Sequence, residues 1–308
     1  MNPNLCEEAD EVAHVLTASV EAAGGINLLR HATKDAGMRS TAAELLDELG
    51  VWELDPLSDA TELEVAAAVS RVAGAFALPY PVVERLTGDG SSAAVALVPE
   101  SGAALVSHAD LPLDWSGVDQ RGGLHDLEVA SSGPLGAALA PFASWMRTSQ
   151  RPAVDRPRAA LASTLQSWWL LGLLEHALAD TVAYTQEREQ FGKPLIRFQG
   201  VGFQLADMTV AVQSLAELAK YTLWRLRVSP AEAVVDAVGL RSAAQQAAAV
   251  VLRGAHQLHG AMGFTDEVDV SWLSRAAQLA RRTPADTHAT SALLAEMIAA
   301  GGWAEFGR

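Results

Sequence analysis

Cysteine is almost missing from this chain. The single thiol, Cys6, permits no intrachain disulfide and rules out a metal site built on thiolates. Aromatic residues are scarce, at 6% of 308 residues. Basic residues are outnumbered: 22 Lys and Arg face 37 Asp and Glu, for a formal net charge of -15. So acidic a surface repels nucleic-acid phosphates and anionic membranes, and neither is expected as a partner. Long apolar runs are missing too. The most apolar stretch, Trp168 to Leu174, is far too short to span a bilayer. Met1 to Asp10 lacks the basic start and apolar run of a signal peptide. The expectation is a soluble, cytoplasmic protein.

What the chain does have is Ala and Leu at helical spacing, the profile of a bundle packed by small residues. Three zones differ in texture. In residues 1–86, Val12, Val15, Leu16 and Val20 recur on one helical face, as do Leu45, Leu46 and Leu49. Gly50 reads as a helix cap, 62–77 as a further helix, and Leu78-Pro-Tyr-Pro81 as its stop. Residues 87–157 are rich in Gly, Ser and Pro. Short runs at 93–98 and 103–106 look like strands of a small β module, and 151–157 reads as a linker. Residues 158–308 are almost wholly helical, with patterns over 160–190, 199–228, 231–261, 270–282 and 287–299 that predict an antiparallel bundle. The predicted class is mainly α with a small β middle domain.

Two segments carry candidate chemistry. In the first, Phe191-Gly192 followed by Lys193-Pro194 reads as a helix stop. That places Arg188 and Gln190 in the last turn or at its rim. Arg188 there complements the helix end, or reaches out as a bidentate phosphate donor. Gln190 offers a donor and an acceptor, Phe191 a flat apolar face, and Gln199 opens the next helix at the same corner. In the second, Gln257, Gly260 and Ala261 share a helical face on which a backbone or flat ligand could approach closely, and Gly263 ends the helix. Each residue alone reads equally as a solvated charge, a packed ring or a helix crossing. His256 and His259 lie three apart without a third ligand on their face, so packing is expected of them rather than metal binding.

These segments resemble the acyl-CoA dehydrogenase family. Its Arg-x-Gln-Phe-Gly-x-Pro motif appears as Arg188-Glu-Gln-Phe-Gly-Lys-Pro194, followed by Gln199 and Leu205-Ala-Asp-Met208. Its later Gln-x-x-Gly-Gly-x-Gly-Phe/Tyr-Thr motif appears as Gln257-Leu-His-Gly-Ala-Met-Gly-Phe-Thr265, and its basic helix as Ser274-Arg-Ala-Ala277. The resemblance implies an N-terminal helical domain, a β domain and a C-terminal four-helix bundle. It also implies that Arg188, Gln190, Phe191, Gln199, Gln257, Gly260, Ala261 and Gly263 hold the adenosine and pyrophosphate of an FAD across a subunit interface.

The catalytic half of the family pattern does not match. The family's proton-abstracting Glu falls here on Pro284, and the alternative base position on Gln246, an amide. Asp286 is the fallback acid, with Glu267 a weaker one. The family's Thr-Glu-Pro-x-x-Gly-Ser segment has only a weak echo at Ser131-Ser-Gly-Pro134. The chain therefore resembles the shortened subunit of heteromeric (α2β2) acyl-CoA dehydrogenases of actinobacterial steroid breakdown. That resemblance implies a full-length dehydrogenase subunit as partner, an acyl-CoA substrate, and an electron-transfer flavoprotein or similar acceptor. The alternatives are a self-sufficient homomeric dehydrogenase with an atypical base, and a non-enzymatic scaffold.

Overall fold

The computed structural model describes residues 5–88, 93–130 and 142–301. The weak echo at 131–134 lies outside them. Five helices come first: α1 (Glu7–Ala22), α2 (Asn27–Ala32), α3 (Arg39–Glu48), α4 (Ala60–Ala75) and α5 (Val82–Leu86). Asp59 caps α4 by accepting from the Thr61 and Glu62 amides. Gly50, at φ 65°, closes the segment after α3 as its position predicts.

Five strands follow: β1 (Ala93–Leu97), β2 (Ala103–Ser107), β3 (Asp114–Val118), β4 (Gly123–Val129) and β5 (Ala143–Val154). They form one sheet in the order β1-β3-β4-β5-β2, antiparallel apart from the parallel pair β1 and β3. The expected linker over 151–157 is not loop. Arg151 to Val154 finish β5, because Gly123 of β4 still pairs with Val154.

The rest is helical: α6 (Arg156–Glu187), α7 (Gln199–Val228), α8 (Val234–His259), α9 (Asp269–Arg282) and α10 (Thr287–Ala299), with a two-residue hairpin, β6 (Glu189–Gln190) and β7 (Lys193–Pro194), between α6 and α7. The class read from the sequence, mainly α with a small β middle, is the class observed. One continuous core joins α1, α4, α6, α7, α8 and α9 and reaches Val95, Leu97 and Val118 of the sheet. The resembling segment Leu205–Met208 belongs to it. Met208 is fully buried against Gly254 of α8, where a Cβ would lie 2.5 Å from its sulfur.

Among the described glycines, the tightest approach to another backbone is between α4 and α6. A Cβ on Gly74 would sit 1.8 Å from the Trp169 carbonyl oxygen, and one on Gly172 would sit 1.8 Å from the Arg71 carbonyl oxygen. The relation is reciprocal: each glycine meets the carbonyl three residues before the other. Arg71 and Glu175 then clamp the crossing with two hydrogen bonds of 2.7 Å. His176 adds a third tie, its Nδ1 donating to the Ala75 carbonyl at 2.5 Å while its Nε2 lies 3.5 Å from Asp269. Asp269 is in turn held by Arg30 at 2.5 Å, so α2, α4, α6 and α9 meet at one imidazole. On the far side, Arg39 of α3 grips Asp110 through two bonds of 2.8 and 2.6 Å and fastens the sheet to the N-terminal helices.

Gly74→Ala and Gly172→Ala should each cost about 3 kcal/mol or more, since the clash is with backbone and the helices must separate; urea unfolding of each variant measures this. The hydrogen bond to Asp269 raises the pKa of His176 above the ordinary histidine value. Its contribution to stability is therefore complete below about pH 6.5 and is lost as pH climbs through the folded value. Melting curves from pH 6 to 9 should show a smaller alkaline decline in His176→Gln than in the parent chain.

Candidate functional site

The hairpin after α6 settles where the first motif points. Helix α6 stops at Glu187, not at Phe191, because Arg188 turns extended (φ -73°, ψ 119°) and its carbonyl accepts from Leu195. Glu189 and Gln190 then pair with Pro194 and Lys193, and Phe191-Gly192 form the tip. Both tip residues have positive φ, 53° and 78°, the combination that a two-residue hairpin turn of the I′ type requires. The Gly-Lys-Pro signal was read as a helix stop and is a tight turn. Arg188 and Gln190 thus leave the helix end and stand on an exposed arm.

The second motif is also re-cut. Helix α8 ends at His259, with Gly260 at φ 58°, ψ -135° as its stop. Residues 260–264 form a short 3-10 turn. Gly260 and Ala261 therefore do not extend the α8 face that carries Gln257, and Gly263 is not the terminator. Gly263 is buried, and a Cβ there would crowd His259 and His256 at 3.1 and 3.3 Å.

Even so, the two segments meet. They enclose an open groove of about 610 Å³. Arg188, Gln190, Gln257, Gly260 and Ala261 line it, as expected; Phe191, Gln199 and Gly263 do not. Phe191 instead stands free at the hairpin tip, 91% exposed, edge-on to Phe198 with centroids 6.2 Å apart. Gln199 is the exposed first residue of α7, next to the lining residue Gly200.

Sequence reasoning missed Tyr184, Phe198 and Gln204. Tyr184 lies one turn before Arg188 on α6, and that spacing was a usable signal. It stacks on His259 with centroids 4.3 Å apart. His256 stacks in the same way on Phe264, at 4.9 Å, so both histidines of the pair are packed against rings.

The groove is shaped for an anionic, partly flat ligand. The guanidinium of Arg188 has no hydrogen bond or ion pair among the described residues, although Glu187 and Glu189 flank it. Amides of Gln190, Gln204 and Gln257 supply both donors and acceptors. At Gly200 and Gly260 a Cβ would meet nothing within 4 Å, so the space above both backbones is open. Free cation, amides, bare backbone and ring faces together fit a dinucleotide's phosphate and adenosine portions.

The positions expected for a base tell a different story. Pro284 lies in a turn whose carbonyls are taken by buried side chains. Arg241 donates to Gln166, to the Ala280 carbonyl at 3.0 Å and to the Thr283 carbonyl. Gln245 donates to the Arg281 and Ala285 carbonyls at 2.9 and 2.8 Å. Burial pulls the Arg241 pKa down to about 9. Gln246 is exposed on α8 and donates to Ser242. Asp286 is exposed and caps α10 by accepting from the Ala289 amide at 2.9 Å. Glu267 is exposed, and its neighbour Asp266 takes Arg275.

A second, more enclosed cavity lies where α5, β1, β2, α6 and α9 converge. Its lining includes Glu84, which no sequence pattern had marked. Desolvation pushes the Glu84 carboxyl up to about 7.

Comparison with known proteins bears on the whole chain and on its C-terminal half differently. Residues 159–283 match the model for the acyl-CoA dehydrogenase C-terminal domain. A short-chain-specific acyl-CoA dehydrogenase of Megasphaera elsdenii is 36% identical over 109 residues, 35% of this chain and 28% of that protein. The chain thus spans less than a third of that relative's length. Two solved structures share the whole fold. A chain of the ChsE4-ChsE5 complex from Mycobacterium tuberculosis has a TM-score of 0.78 at 18% identity, covering 97% of this chain and 99% of that one. A variant of the Tcur3481-Tcur3483 steroid ACAD has a TM-score of 0.81 at 19% identity, covering 96% and 98%.

The two open glycines should behave differently when substituted. Gly200→Ala, inside α7, should raise stability by up to about 1 kcal/mol through helix propensity. Gly260→Ala should lower it by about 1–2 kcal/mol, because its backbone conformation is one that only glycine adopts freely. Thermal unfolding of both variants distinguishes them.

Proposed function

We propose that this chain is a member of the acyl-CoA dehydrogenase family, oxidoreductases acting on CH–CH bonds, and the non-catalytic subunit of a heteromeric, FAD-dependent one; the match of residues 159–283 to the family's C-terminal domain supports the reading. In this reading it contributes the groove that holds the adenosine and pyrophosphate of FAD, and a full-length partner subunit contributes the base. The substrate is an acyl-CoA thioester, steroid-derived by analogy with the Tcur3481-Tcur3483 steroid ACAD. An electron-transfer flavoprotein or similar carrier accepts the electrons, and the complex works in the cytoplasm.

The observation that carries the reading is a pairing of opposites. The groove keeps an uncompensated Arg188 beside Gln190, Gln257 and the open Gly260 backbone. The turn that would carry the base holds Pro284, locked by Arg241 and Gln245. When bound, the flavin supplies a hydride acceptor for the substrate β-carbon. This chain's residues bind and orient it: Arg188 neutralises phosphate charge, the three amides fix polar edges, and Gly200 and Gly260 leave room for close approach. The α-proton is taken by the partner, since the acids near Pro284 are exposed or engaged in capping.

Purified alone, the chain should be colourless and inactive; co-expressed with its partner it should yield a yellow, active complex. Flavin in the isolated chain, or acyl-CoA oxidation by it, defeats the proposal. Within the complex, Arg188→Ala should weaken flavin retention by about 1.5–3 kcal/mol, read from flavin-to-chain ratio after gel filtration. Gly200→Ala should weaken retention despite its higher stability. Asp286→Asn should leave turnover near that of the parent complex.

A further inference from the structure

The two walls of the groove come from different helices, α6 with its hairpin and the end of α8. They meet at Tyr184 and His259, 75 residues apart in sequence. The His259 side chain is only 1% exposed. Tyr184 lies flat on it, with centroids 4.3 Å apart and planes 20° from parallel, and the tyrosine hydroxyl reaches the His259 carbonyl at 3.5 Å. Nδ1 donates to the Ala255 carbonyl at 2.9 Å, since a carbonyl can only accept. Gly263 packs against the stem of the side chain, where a Cβ would come within 3.1 Å of the His259 Cβ.

That leaves Nε2, which faces Asp180 Oδ2 at 3.5 Å. This oxygen is sealed from solvent and accepts no hydrogen bond among the described residues. A buried carboxylate oxygen without a donor is costly, and Asp is a poor residue inside a helix. Asp180 nonetheless sits about two turns before the end of α6. It does not line the groove, whereas His259, Gly260 and Ala261 do. Its field also acts on His176, one turn earlier on the same helix.

We propose that Asp180 is a positioning residue of the groove, acting through His259. By engaging Nε2 it keeps the imidazole flat against Tyr184. Tyr184 in turn accepts the Arg188 amide on its carbonyl at 2.9 Å, and His259 is followed directly by Gly260 and Ala261. One ring therefore sets the distance between the arm that carries Arg188 and the bare backbone opposite it. A ligand that spans both walls binds more tightly when their spacing is fixed beforehand. The role rests on the reading of the groove as the holder of the adenosine and pyrophosphate of FAD, and it adds residues that do not touch the ligand to those that do.

Hydrogen exchange of the full chain and flavin dissociation from the co-expressed complex test it together. Asp180→Ala should speed amide exchange over residues 256–264 while the earlier turns of α8 stay protected. In the complex it should make flavin leave roughly five- to tenfold faster, the worth of one polar contact. Asp180→Asn, whose amide can donate to Nε2, should restore the rate to within about twofold of the parent. His259→Phe keeps the ring stack, loses both nitrogens and should reproduce the Asp180→Ala effects; adding Asp180→Ala to it should change nothing more. His176→Gln breaks a different tie of α6 and should leave flavin dissociation at the parent rate. Should Asp180→Ala not fold, His259→Phe decides through the same two readouts. The proposal is overturned if exchange over 256–264 is unchanged, if Asp180→Asn is as poor as Asp180→Ala, if the two substitutions add, or if His176→Gln costs as much. It is overturned too if Asp180→Ala keeps the parent rate while Arg188→Ala raises it, an outcome that leaves the flavin reading standing. A complex without flavin defeats that reading and this role with it.

Discussion

Everything else in the structure is arranged around the contact of Gly74 with the Trp169 carbonyl and of Gly172 with the Arg71 carbonyl. Two helices this close cannot carry side chains at the crossing. In return they gain backbone-to-backbone dispersion, and the Cα hydrogens of the glycines face carbonyl oxygens. The approach also fixes rotation about α6. With Gly172 turned to α4, Trp168 is driven into the core, 1% exposed, while Trp169 stays half-buried and reaches the enclosed cavity. The Arg71–Glu175 pair and His176 then decorate a geometry the glycines impose. Exposed ion pairs of this kind hold register more than they add stability.

A 32-residue helix fixed in this way becomes the ruler of the molecule. Asp155 starts it by accepting from the Arg158 amide, with a proline in its first turn. Its N-terminal half walls the cavity between helices and sheet. Its last turn presents Tyr184 to the groove, and Arg188 follows just beyond its end. Both edge strands, β1 and β2, contribute to the cavity wall, and Val95 and Leu97 of β1 share the core with α6. The groove and the cavity therefore hang on one helix.

How much of this the sequence disclosed follows from the range of the forces involved. Helix α10 was expected at 287–299 and lies there, and α9 starts one residue before expectation, because caps and periodicity are local signals. The β1 and β2 runs were visible for the same reason. The ends of α6 and α8 were misplaced by four or fewer residues, and each error has a cause. Gly-Lys-Pro after Phe191 serves equally well as a helix stop or a hairpin turn, and only pairing with Glu189 and Gln190 decides between them. At the end of α8, Gly260 breaks the helix before Gly263 can, through a ψ of -135° that composition does not encode. The groove survived both errors because neighbouring residues stay neighbours whether helix or hairpin carries them. Glu84 could not be found, since the burial that raises its pKa arises only in the folded chain.

Ion pairing elsewhere gives Arg188 its meaning. Eight arginines of the described residues bridge to a carboxylate at 3.0 Å or less, and Arg188 is not among them. Arg188 has acids on both sides in sequence and bridges to neither. A hairpin arm that turns its guanidinium into a groove, away from those acids, keeps the cation available for a charge brought from outside. Local sequence offered Arg188 carboxylate partners, and the hairpin places it at the groove instead.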